Sequence, residues 1–179
     1  INDKHLEVEF DYSDEELAED AKLAYSAEKF GPSPAPVVPC DNMHILELWH
    51  GPTSAFKDMA LQIMPRLLSR AIVKTGETRD ALILVATSGD TGKAALEGYK
   101  DIDRIKIMVF YPVDGVSRVQ KLQMATQTGS NVNVCAIRGN FDDAQTGVKK
   151  IFGDADMAAA LNDKGYVLSS ANSINWGRL

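Results

Sequence analysis

The first forty residues carry one clear helical signal. Ser13-Asp14-Glu15-Glu16 has the form of a capping box, with Ser at the N-cap and Glu three positions later. Leu17, Ala21, Ala24 and Tyr25 then recur at helical spacing, and Phe30-Gly31-Pro32 supplies the stop. Pro32, Pro34, Pro36 and Pro39 make residues 31–39 an extended connector. Ile45-Leu46-Glu47-Leu48-Trp49 reads as a strand that runs into the turn His50-Gly51-Pro52. A helix follows over about 57–74, with Ala60, Ile63, Met64, Leu67 and Ala71 on one face. Pro65 falls inside that pattern and is expected to kink or split it. Thr75-Gly76 closes the helix.

From residue 81 the period changes. Ala81 to Ala86 is a continuous apolar run, as in a strand buried on both faces. A helix over Asp90–Tyr99 follows, then a strand from Ile105 to Tyr111 that Pro112 stops. A second helix spans Val116–Thr126 and ends by Gly129. Val132, Val134 and Ala136 mark another strand. Asn140 or Asp142 caps a helix over about 142–151; a further helix at 154–162 and a strand at 166–169 complete the alternation. Strands alternating with helices predict an α/β fold, three-layer αβα with a mainly parallel sheet. Residues 79–165 read as one compact unit, with 1–78 and 166–179 belonging to another body.

Composition changes this picture little. Of 179 residues, 45% are hydrophobic and 25% charged, ordinary values for a globular chain. A net charge of −6 argues against general nucleic-acid binding. No apolar run approaches the roughly 18 residues a membrane helix needs, so no membrane partner is expected. The opening Ile1-Asn2-Asp3-Lys4-His5 does not read as a signal peptide. Cys40 and Cys135 read as free thiols in a reducing, cytoplasmic setting. His44 and His50 do not form a metal-binding pattern with other ligands.

Three segments carry candidate chemistry. In His50-Gly51-Pro52-Thr53-Ser54-Ala55-Phe56-Lys57-Asp58, a lysine stands at the entrance of a helix, where the macrodipole disfavours a cation. Two readings stand: Lys57 is held neutral or tied up covalently, as in Schiff-base chemistry, or Asp58 pairs with its charge. In Thr87-Ser88-Gly89-Asp90-Thr91-Gly92, a buried strand ends and a helix opens, the place where parallel sheets bind ligands. The glycines allow close backbone approach and the helix amides attract an anion. A plain strand-to-helix turn has the same composition. Gly92-Lys93 imitates a phosphate-binding P-loop but fails it twice, with Thr87 where the first Gly belongs and Ala94 after the lysine. In Asn172-Ser173-Ile174-Asn175-Trp176-Gly177-Arg178, amide and hydroxyl groups can orient a polar ligand and the arginine can meet a phosphate.

Together, in this order and spacing, the three segments resemble the threonine synthase family of pyridoxal-phosphate enzymes over roughly residues 35–179. The resemblance implies the type II fold of the tryptophan-synthase β type. It also implies the conversion of O-phospho-L-homoserine and water to L-threonine and phosphate. It makes Lys57 the cofactor lysine and proton shuttle, with Phe56 as a wall of the site. Ser88, Gly89, Asp90, Thr91 and Gly92 are then placed at the cofactor, Asp90 on the ring side. Thr87, Ser88 and Thr91, with Asn172, Ser173, Asn175 and Arg178, become substrate contacts. Residues 1–78 become a helical segment and the start of the large cofactor domain, 79–165 the small domain, and 166–179 the return to the large one. Members of the family continue past the position of Leu179. The chain is therefore expected to be an incomplete fragment, inactive alone and prone to self-association through uncovered faces. Another type II lyase, such as a serine or threonine dehydratase, and a non-catalytic αβ binding module remain as alternatives. Trp49 and Trp176 are expected to pack, and His50 to touch a ligand or brace its turn. Arg118, Lys121 and the acidic residues of 7–20 are expected on solvated faces.

Overall fold

The computed structural model describes residues 12–171. Helix α1 (Asp14–Ala24) opens with the expected capping box: Ser13 Oγ accepts from the Glu16 amide, and Glu16 accepts from the Ser13 amide at 2.9 Å. Such a cap stabilises a helix by about 1 kcal/mol. The short helix α2 (Ala27–Phe30) ends on Gly31. The proline-rich connector then departs from expectation. It holds a strand, β1 (Val37–Cys40), which pairs antiparallel with β2 (Met43–Leu46), so that Val37 faces Leu46 and Cys40 faces Met43. A two-stranded ribbon has an open edge on each side, which tolerates the missing amide of Pro39. β2 stops at Leu46, short of the strand expected through Trp49.

Pro65 splits the next helix. Helix α3 (Asp58–Leu61) and helix α4 (Met64–Lys74) are separate, and Pro65 lies in the first turn of α4, where its absent N–H is no loss. The remaining elements follow the predicted order: β3 (Asp80–Ala86), α5 (Asp90–Tyr99), β4 (Ile105–Pro112), α6 (Arg118–Ala125), β5 (Val132–Ile137), α7 (Phe141–Gly153), α8 (Ala155–Asp163) and β6 (Tyr166–Ser169). Of the two candidate caps for α7 it is Asn140, which accepts from the Asp143 amide in a second capping box.

The sheet is four-stranded in the order β5-β4-β3-β6, and every pairing in it is parallel. Helices cover both faces. On β4, Ile105, Ile107, Val109 and Tyr111 are buried beneath α5 and its neighbours, while Phe110 on the opposite face meets Ala144, Val148 and Ile151 of α7. This is the expected three-layer αβα arrangement.

Leu61, Met64 and Ile72 share one core with Ile83, Leu96 and Val109, so the segment before residue 79 packs into the sheet domain. β6 pairs with β3 from Asp80↔Tyr166 to Ile83↔Ser169, so the sheet does not end at residue 165. The approach of α3 to α5 is especially close: a Cβ at Gly98 would overlap the Leu61 carbonyl. The acidic N-terminal helix is also not wholly solvated. Asp20 is 4% exposed and receives both Nε and Nη2 of Arg70 at 2.9 Å, which bolts α1 to α4. Glu16 adds an ion pair to Lys74 at 2.8 Å.

Candidate functional site

The site forms where β3 ends. β4 and β5 lie on one side of β3, and β6 lies on the other, so the crevice above the carboxyl end of β3 is a topological switch point. Thr87 leaves the strand still bonded to it, its amide donating to the Phe110 carbonyl at 3.0 Å. Its hydroxyl then accepts from the amides of Gly89 and Gly92, each at 2.9 Å. Thr87 is 2% exposed, and its side chain holds the loop in shape. Gly89 has φ +141°, and a Cβ there would run into Gln120, so the loop needs glycine for both reasons. Gly92 is likewise closed to a side chain, by Thr87 and Val109. Ser88 and Asp90 are exposed and Thr91 is half-buried, in the first turn of α5. The arrangement presents hydroxyls and a helix N-terminus to an anion.

Lys57 occupies the N-cap position of α3 and is half-buried. That helix is only four residues long, so its dipole is small and the macrodipole argument for the lysine loses force. Its ammonium lies 4.5 Å from the centre of the Phe56 ring. Phe56 is 48% exposed, so it meets the lysine face-on without enclosing it. Asp58 does not pair with Lys57. It is fully buried and accepts from the Thr53 amide at 2.9 Å and the Thr53 hydroxyl at 2.6 Å. Burial raises the Asp58 pKa above the ordinary carboxylate value, against the opposing pull of the Thr53 bonds. Gly51 lies under it: a Cβ there would come within 2.6 Å of Asp58.

Lys93 joins the two loops. It is 8% exposed and donates to the Thr53 carbonyl at 2.9 Å, with Asp90 Oδ1 3.7 Å away. Asp90 also accepts from Gln120 of α6 at 2.5 Å. The carboxylate expected at a ring is thus engaged by two protein partners. Its sequence neighbours Gly92, Ala94, Ala95 and Leu96 are buried, but the exposed Asp90 and the half-buried Glu97 share its helix face, so periodicity alone does not mark it as interior.

The other candidates divide. His50 bonds Glu47 at 2.6 Å and stacks on Trp49, so it braces the turn. Trp49 is 52% exposed and does not pack into the core. Arg118 and Lys121 are exposed, as expected. Cys40 and Cys135 are free. Asn172, Ser173, Asn175, Trp176 and Arg178 lie outside the described residues. A cavity of about 480 Å³ lined by Asp20, Arg66, Arg70 and Asp103 lies at the opposite end of the sheet, beside the start of β4, and is unrelated to this site.

These features define the chain as a parallel α/β domain in which the loop carrying Lys57 is tied to the helix that opens at the switch point. No family model matches the chain. It is 48% identical to threonine synthase from Pseudomonas aeruginosa over 138 residues, 77% of this chain and 28% of that protein. To threonine synthase-like 1 from Homo sapiens it is 45% identical over 144 residues, covering 77% of this chain and 19% of that one. The crystal structure of threonine synthase from Brucella melitensis, bound to PLP, superposes with a TM-score of 0.81 at 40% identity, over 92% of this chain and 34% of that one. Over the matched stretch the chain is similar to threonine synthases. It spans between a fifth and a third of the length of these relatives. Among the described residues, no helix is long and apolar enough to cross a membrane.

Proposed function

We propose that the protein carrying this chain is a cytoplasmic, pyridoxal-phosphate-dependent threonine synthase. It converts O-phospho-L-homoserine and water to L-threonine and phosphate, with Lys57 as the Schiff-base lysine. The observation that carries the reading is the Lys93–Thr53 bond, which makes one unit of the Lys57 loop and the Thr87–Gly92 loop. A reacting amine and an anion cradle are thereby fixed relative to each other.

The donor set fits the cofactor and an amino-acid substrate. When bound, pyridoxal phosphate supplies an electron sink that stabilises negative charge on the substrate carbon next to the amine. Lys57 holds the cofactor and then carries protons to and from the substrate carbons. Ser88, Thr91 and the first amides of α5 receive the substrate carboxylate, while Gly89 and Gly92 let the loop close on Gln120, Thr87 and Val109 at the cofactor. Phe56 flanks the amine, and Asp90 stands at the cofactor edge of the loop. Asn172, Ser173, Asn175 and Arg178 are assigned to the substrate phosphate, which a guanidinium suits.

Phosphate release from O-phosphohomoserine by the full-length protein tests the reading. Lys57→Ala is expected to lower that rate by more than about 100-fold. Release of 2-oxobutanoate and ammonia from threonine, without phosphate release, would place the protein among the dehydratases. Anion binding without turnover, unchanged in Lys57→Ala, would make it a binding module.

A further inference from the structure

We propose that Lys93 is a positioning residue for Lys57: from the interior it ties the loop that carries the reacting amine to the loop that opens α5. The proposal rests on the reading of Lys57 as that amine.

A buried ammonium is costly unless it is paired and hydrogen-bonded. Lys93 is 8% exposed. What it meets is the Thr53 carbonyl at 2.9 Å and, more distantly, the Asp90 carboxylate at 3.7 Å. A carbonyl bond does not neutralise the charge, so the contact is poorly explained as charge pairing alone. It is well explained by where Thr53 sits, four residues before Lys57. All three polar groups of Thr53 are taken: its amide and hydroxyl by Asp58, its carbonyl by Lys93. Asp58 ties Thr53 within its own loop. Lys93 ties it to another element.

The far side of the tether is also held. Asp90 is shared between Lys93 and Gln120, and Gln120 in turn accepts from Ser117, the N-cap of α6. A continuous set of contacts therefore runs from α6, across the first turn of α5, to the loop of Lys57. Cutting it at Lys93 frees Thr53 and lets the amine drift from the anion cradle, while the hydrophobic core beneath stays intact. Misplacement by about 1 Å costs about 100-fold in rate even when binding is little changed.

The test uses the full-length protein with K93M, which keeps the volume but drops the donor, and K93R, which keeps a charged donor. K93M is expected to lower kcat by about 100-fold with KM within about threefold of wild type. Amide exchange over residues 53–58 should speed up, while exchange over the β4 strand, 105–112, stays unchanged. K93R should recover part of kcat and the protection over 53–58. Unchanged exchange over 53–58 in K93M overturns the proposal, as does an equal rise over both segments, which would mean a general loss of structure. If K93M does not fold, K93Q takes its place under the same criteria. Borohydride reduction of the wild-type holoenzyme separates the two layers of the argument. An adduct on Lys57 with unchanged exchange in K93M sinks this proposal and leaves the function standing. An adduct on Lys93, or none on Lys57, overturns both.

Discussion

Asp58 has no exposed surface, and both its oxygens are taken by Thr53. Asp58→Ala would leave the amide and hydroxyl of Thr53 buried without acceptors, at a cost of about 2–4 kcal/mol in a denaturant titration. Its charge adds a pH dependence. Burial is the dominant effect and raises its pKa above the ordinary 3.8. The folded state therefore keeps this proton to a higher pH than the unfolded chain does. The resulting stability is complete below the unfolded pKa and is lost as pH rises through the folded one. Asp58→Asn cannot titrate, so the stability of wild type relative to this variant should decline from acid towards neutral pH. A difference that stays flat across that range would contradict the assignment.

Helices α3 and α5 touch through backbone, and that contact separates two glycines that look alike in sequence. Gly98→Ala should destabilise the fold by about 2 kcal/mol, because the overlap with Leu61 outweighs the roughly 1 kcal/mol gained in helix propensity. Gly147, in α7, has nothing within 4 Å of a Cβ position, and Gly147→Ala should stabilise by about 0.5–1 kcal/mol. Unfolding midpoints of the two variants should therefore move in opposite directions. The same contrast shows what a sequence can and cannot disclose. The α/β order, the Pro65 split and the Ser13 cap were legible because each rests on local periodicity or local bonding. The β1–β2 pairing was not, because proline content speaks of a single chain and pairing depends on a partner strand. Asp20 looked like one more solvated acid because Arg70, which buries it, lies fifty residues away. At the site, Lys57 and the Thr87–Gly92 loop were legible as motifs. The task of Thr87 and the burial of Lys93 were not, since both follow from how α5 seats against the loop of Thr53.

On the scale of the whole molecule, one face of the fold is closed and one part stands open. The sheet is covered on both sides, whereas the β1–β2 ribbon exposes Val37 by 60%, Met43 by 60% and Leu46 by 53%. A two-stranded ribbon is marginal in water without cover, and clustered apolar exposure promotes association. The 179-residue chain is expected to self-associate in a concentration-dependent way, and Met43→Lys with Leu46→Lys to weaken that association. Sedimentation velocity would show it; identical behaviour of both proteins would place the contact elsewhere. The loop of Lys57 meets the helix that opens after β3 through the Lys93–Thr53 bond. The most direct test of Lys57 as the Schiff-base lysine is to load the full-length protein with pyridoxal phosphate, reduce with borohydride and map the modified peptide. A single adduct, on Lys57, is expected. No adduct there, or adducts scattered over exposed lysines, would contradict that role.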